Sequence, residues 1–111
     1  MAEKVPEATR EKIQELQLLQ QRLTVFTAQK QQLQIQLAEL DNALAELQKA
    51  KPPVYRLLGE ILVEKLPDEL KAELKEKRDE IDLRIKTIEK QESKTREKAQ
   101  ELQKAIAELL K

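Results

Sequence analysis

The sequence predicts an all-α dominated chain: an antiparallel two-helix coiled coil with a single β-hairpin inserted between the helices. Three observations carry this. The composition is that of long helices, since 38% of residues are charged, one glycine is present in 111 residues, and the aromatics are Phe26 and Tyr55. Two long segments repeat apolar residues at alternating steps of three and four, the spacing of a helical seam. Between them lies a short β-branched and aliphatic stretch interrupted by that one glycine.

The first element is a helix over 7–50. Leu16, Leu19, Leu23, Phe26, Lys30, Leu33, Leu37, Leu40, Leu44 and Leu47 fall on one stripe, and every position except Lys30 is apolar. Pro6 and Glu7 suit a helix start, and Lys49 and Lys51 precede the stop at Pro52-Pro53. Lys30 in the seam has two readings. The simpler one extends its ammonium past the seam into water; the other pairs it with Glu89 or Glu92 across the seam and fixes register.

The second element is a β-hairpin over 54–64. Val54-Tyr55-Arg56-Leu57-Leu58 and Ile61-Leu62-Val63-Glu64 read as strands, with Gly59-Glu60 as the turn and Gly59 supplying a positive φ. An isolated two-stranded hairpin is marginal in water, and its aliphatics and edges need cover. Another copy or a relative pairing edge to edge is the simplest cover.

The third element is a helix over 67–110. Pro67 takes the first helical position with Asp68 and Glu69 behind it. Its seam runs Leu74, Arg78, Ile81, Ile85, Ile88, Glu92, Thr95, Ala99, Leu102, Ile106 and Leu109. In an antiparallel pairing, facing residues sum to about 118. Phe26 then faces Glu92 and Leu23 faces Thr95, so the first helix is bulky where the second is small. The whole chain, 1–111, reads as one domain.

The outer faces differ. Between Gln14 and Ala38 there are nine glutamines and only three charges, Glu15, Arg22 and Lys30. Both faces are expected to be solvated; the sharper alternative is that the glutamine-rich face contacts a client or a neighbouring subunit. Lys86, Lys90, Lys94 and Lys98 form a basic row, but Glu89, Glu97 and Glu101 each follow a member by three residues and should neutralise it. Off-stripe or terminal apolar residues collect at the two chain ends, namely Val5, Ala8 and Ile13, with Ile106, Leu109 and Leu110. A two-helix coil has no third element to cover them, so they should be partly exposed; the alternative is that they are fraying termini packed loosely on each other.

Composition excludes several functions. With no His or Cys there is no triad, thiol nucleophile or imidazole–thiolate metal site, and one glycine cannot make a phosphate-cradling loop. The chain is expected to be no enzyme and to need no cofactor. Equal counts of basic and acidic residues, with few stacking aromatics, argue against nucleic acid. The longest apolar run, Ile61-Leu62-Val63, argues against a membrane span. A cytoplasmic protein is expected, and abundant Lys and Glu with one Asn and no Cys fit a thermophile source.

The order helix, Val54-Tyr55-Arg56-Leu57-Leu58-Gly59-Glu60-Ile61-Leu62-Val63, helix resembles the beta-type subunits of prefoldin, a co-chaperone of archaea and eukaryotes. Thr87-Ile88-Glu89-Lys90-Gln91-Glu92 is also similar to the second helix of archaeal members. Alpha-type subunits carry two hairpins; this chain has room for one. The resemblance implies a hexamer, built with an alpha-type prefoldin subunit and further copies of this chain. Val54, Tyr55, Leu57, Leu58, Gly59, Ile61, Leu62 and Val63 would be the assembly hairpin. It also implies an ATP-independent holdase that binds unfolded polypeptides at coiled-coil tips, through Val5, Ala8, Ile13, Ile106, Leu109 and Leu110, and delivers them to a cytosolic group II chaperonin. The competing expectation from another class is a passive tethering coiled coil. A sticky hairpin at one end discriminates against it.

Overall fold

The structure, a computed structural model, describes residues 5–111. Element order follows the sequence pattern: α1 (Glu7–Lys49), β1 (Val54–Leu58), β2 (Ile61–Lys65) and α2 (Pro67–Leu109). The expected fold class holds. The second strand runs one residue further than expected, to Lys65.

The helix ends follow their local chemistry. The α2 start has Pro67 first, where a missing N–H costs nothing, and the Leu66 carbonyl accepts from Leu70 N–H at 3.0 Å. Asp68 and Glu69 lie in the first turn, and Lys49 closes α1. Among the described residues, the α2 last turn has no basic side chain.

The chain divides into two compact units, residues 5–30 with 87–111 and residues 31–86. In the first, the terminal unit, Leu19 and Ala99 are buried, and Leu16, Leu23, Phe26, Ile88, Thr95 and Leu102 are half-buried. These are the predicted seam positions. Thr9 extends the seam by one heptad and is 1% exposed. Its Oγ1 has no hydrogen-bond partner among the described residues.

In the second, the hairpin unit, Leu47, Val54 and Leu70 form a buried cluster with Leu74 packed against it. Ile81 and Ile85 are also buried. An ion pair from Arg78 Nε to Asp41 Oδ1 crosses between the helices. It matches the expected facing sum closely and holds the Arg78 guanidinium above its ordinary pKa through hydrogen bonding with Asp41. The strands pair antiparallel in the register Val54–Lys65, Tyr55–Glu64, Arg56–Val63, Leu57–Leu62 and Leu58–Ile61. Gly59 has φ of 60° and is the only described residue with positive φ, as a two-residue turn with glycine at its first central position requires.

Candidate functional site

The residues singled out from the sequence fall on two surfaces, one in each unit. In the hairpin unit, strand alternation sorts the side chains into two faces. Val54, Arg56, Val63 and Lys65 share the face turned to α2, where Arg56 Nη1 reaches Glu73 Oε2 at 2.7 Å and Lys65 Nζ reaches Glu73 Oε1 at 3.4 Å. One carboxylate on α2 thus holds both strands.

The opposite face carries Tyr55, Leu57 and Leu62, all exposed, with Leu57 and Leu62 directly opposite each other at 64% and 65% exposure. At the turn, Leu58 and Ile61 are exposed too, and Leu66 adds another aliphatic below. Among the described residues nothing pairs with the outer edge of either strand. Of the eight hairpin residues singled out from the sequence, Val54 differs from the rest, because it is buried in the Leu47–Leu70 cluster and anchors the hairpin root. Val63 is half-buried on the inner face. Tyr55, Leu57 and Leu62 form the uncovered outer face, while Leu58 and Ile61 are exposed beside the turn on the other face.

In the terminal unit the apolar residues near the chain ends are graded. Ala8, Leu109 and Leu110 are exposed, the leucines at 50% and 58%, whereas Val5, Ile13 and Ile106 are half-buried. Leu109 therefore leaves the seam that its spacing assigns it to. The last turn of α2 ends there, with the Leu110 N–H donating to the Ile106 carbonyl at 3.0 Å.

Lys30 takes the less simple of its two readings. Instead of reaching water, its Nζ donates to Glu92 Oε1 at 2.9 Å, and the Glu92 side chain is only 8% exposed. Thr27 Oγ1 lies 3.3 Å from the other Glu92 oxygen and 2.9 Å from the Leu23 carbonyl. The Lys30 hydrogen bond holds the Glu92 carboxyl below its ordinary pKa of 4.5, overcoming the burial that pushes it up. Spacing alone left Lys30 a choice of rotamers; the facing carboxylate decides it. The basic row behaves differently from the expected pairing at its start, where Lys86 pairs with Asp82, one turn before it, at 3.1 Å.

Sequence reasoning also missed exposed aliphatics along the helix flanks: Leu18, Val25 and Ile35 on α1, and Leu83 on α2. Their off-stripe heptad positions were the available signal. Among the described residues there is no cluster of three or more His, Cys, Asp or Glu arranged to hold a metal, and no helix is long and apolar enough to cross a membrane.

The comparisons agree with this architecture. The family described as prefoldin subunit matches residues 10–111. A prefoldin subunit beta of Archaeoglobus fulgidus is 37% identical over 108 residues, covering 96% of this chain and 93% of the relative. That of Thermococcus kodakarensis is 33% identical over 109 residues, with the same coverage. The crystal structure of the prefoldin beta subunit from Thermococcus strain KS-1 superposes with a TM-score of 0.91 at 32% identity, covering 99% of this chain and 98% of that one. The match runs along nearly the whole length of these proteins, and the chain belongs to the prefoldin subunit family.

Proposed function

We propose that the chain is a beta-type subunit of an ATP-independent holdase, which binds non-native proteins at its terminal unit and delivers them to a cytosolic group II chaperonin. The observation that carries this is the uncovered hairpin face of Tyr55, Leu57 and Leu62, an assembly surface that a simple tether has no use for. It pairs with an alpha-type subunit and with further copies of this chain, in a hexamer. Burying each large side chain there gains about 1.5–3 kcal/mol, enough in sum to hold subunits together.

Client contact falls to the exposed aliphatics of the terminal unit, led by Leu109 and Leu110, with Ala8 beside Val5, Ile13 and Ile106. Apolar contact without directional bonds suits chains of any sequence, and requires no nucleotide or cofactor. The setting is cytoplasmic, as for the chaperonin it serves.

The test mixes the full chain with an alpha-type subunit, measures the native mass, and follows suppression of client aggregation without ATP. Leu109→Ser with Leu110→Ser should leave the mass unchanged and sharply reduce suppression. A complex that forms normally yet protects no client, even with both leucines intact, would overturn the holdase reading and favour the tether.

A further inference from the structure

A second surface of the terminal unit lies outside both the hairpin residues and the chain-end residues assigned above. Gln14, Leu18, Gln21, Val25 and Ala28 step along α1 by four, three, four and three residues, so they form one stripe. That stripe alternates with the seam residues Leu16, Leu19, Leu23 and Phe26 and lies away from them. All five are exposed, Leu18 at 57% and Val25 at 52%. The α2 segment of the same unit has no counterpart, because between Thr87 and Glu108 its exposed positions hold no large aliphatic.

We propose that this face of α1 is a second docking track, which takes an extended, uncharged segment of a non-native polypeptide. The proposal rests on the holdase reading and adds a place and a chemistry to it.

Three observations choose this occupant. The stripe carries no charge, and Glu15 and Arg22 are the only charged residues between Gln14 and Ala28. A charged segment laid on it would lose hydration without gaining a counter-charge. The glutamine amides each offer donors and an acceptor. An unfolded segment has backbone N–H and C=O groups that need such partners whatever its side chains are. Leu18 and Val25 supply apolar contact between the amides. The stripe from Gln14 to Ala28 spans about 21 Å, the length of about six extended residues.

A permanent subunit contact fits the face poorly. Stable interfaces bury about 800 Å² per partner around a desolvated core. Two aliphatics separated by two helical turns and flanked by glutamine fall far short. Weak, reversible contact suits a client that must be released.

The experiment places a photo-crosslinking amino acid at position 18 or 25 of the full chain, with positions 94 and 101 on α2 as controls, in the oligomer formed with an alpha-type subunit. Reduced, carboxymethylated lactalbumin serves as the non-native probe. Crosslinks to the probe are expected at 18 and 25 at several-fold the control yield. Leu18→Glu with Val25→Lys, which keeps the net charge, should lower aggregation suppression several-fold with helicity and oligomer mass unchanged. Crosslinks no stronger than the controls, or crosslinks to another copy of this chain, overturn the proposal. The separate Leu109→Ser, Leu110→Ser arm isolates the holdase reading. If it abolishes protection while the flank variant protects fully, the chain-end site stands and the track falls. The crosslinking arm reads binding alone, so a failure of the holdase reading does not mask it.

Discussion

Individual side chains in the terminal unit carry opposing costs. Thr9 buries a hydroxyl with no partner among the described residues, and such a group costs about 1–3 kcal/mol. Thr9→Val keeps the shape and removes the hydroxyl, so thermal unfolding should move upward; a lowered Tm would mean the hydroxyl is satisfied in solution. Glu92 is buried too, but Lys30 and Thr27 face it. Because its folded pKa lies below 4.5, the ionised carboxylate favours the folded state. That contribution is complete above pH 4.5 and is lost as the pH falls below it. Urea unfolding of the wild type should weaken over this acid range, and Glu92→Gln should show a shallower dependence there. Parallel pH profiles for the two proteins would remove Glu92 from the account.

Elements differ in how plainly the sequence announces them. The seam was legible because leucine at three-and-four spacing has one helical solution, and Leu19, Leu47, Ile81 and Ile85 are buried as their spacing requires. The hairpin was legible from Gly59 flanked by β-branched and aliphatic runs. Thr9 was not, since a hydroxyl residue does not register as apolar even seven positions before Leu16. The pairing of Lys30 with Glu92 depends on a long side chain's rotamer, which no repeat encodes. For the candidate surfaces, residue type located the hairpin and the chain ends, but only burial separates the anchor Val54 from the free Leu57. Two substitutions probe that separation. Leu47→Ala removes a side chain from the Leu47–Val54–Leu70 cluster and should cost about 2–5 kcal/mol in thermal unfolding. Leu57→Lys with Leu62→Lys should leave circular dichroism nearly unchanged and abolish the oligomer in native mass spectra; a surviving oligomer would place assembly elsewhere.

At the scale of the whole molecule, equal basic and acidic counts and the absence of His and Cys set the pH response. No imidazole or thiol titrates between about pH 5.5 and 8.5. Assembly measured by sedimentation should therefore be nearly constant across that range, and a midpoint within it would point to an α-amino group or to a titrating group on the partner subunit. On the proposed holdase reading, capture by few exposed leucines per chain would be weak, and several chains acting together would raise it through effective concentration. Protection per subunit should consequently collapse when the Leu57, Leu62 double variant leaves the chain monomeric, even though its Leu109 and Leu110 are intact.

Glu73 accepts from a cation on each strand, so the hairpin is tethered to α2 through one side chain as well as through its root. Loss of that shared carboxylate frees both strands from it at once. In hydrogen–deuterium exchange, the amides of β1 and β2 should open together, and Glu73→Gln should accelerate both by a similar factor while leaving amides beside Ile81 and Ile85 slow. The hairpin would then behave as one hinged leaf, docked or undocked as a whole, and a partner chain would meet both strands together.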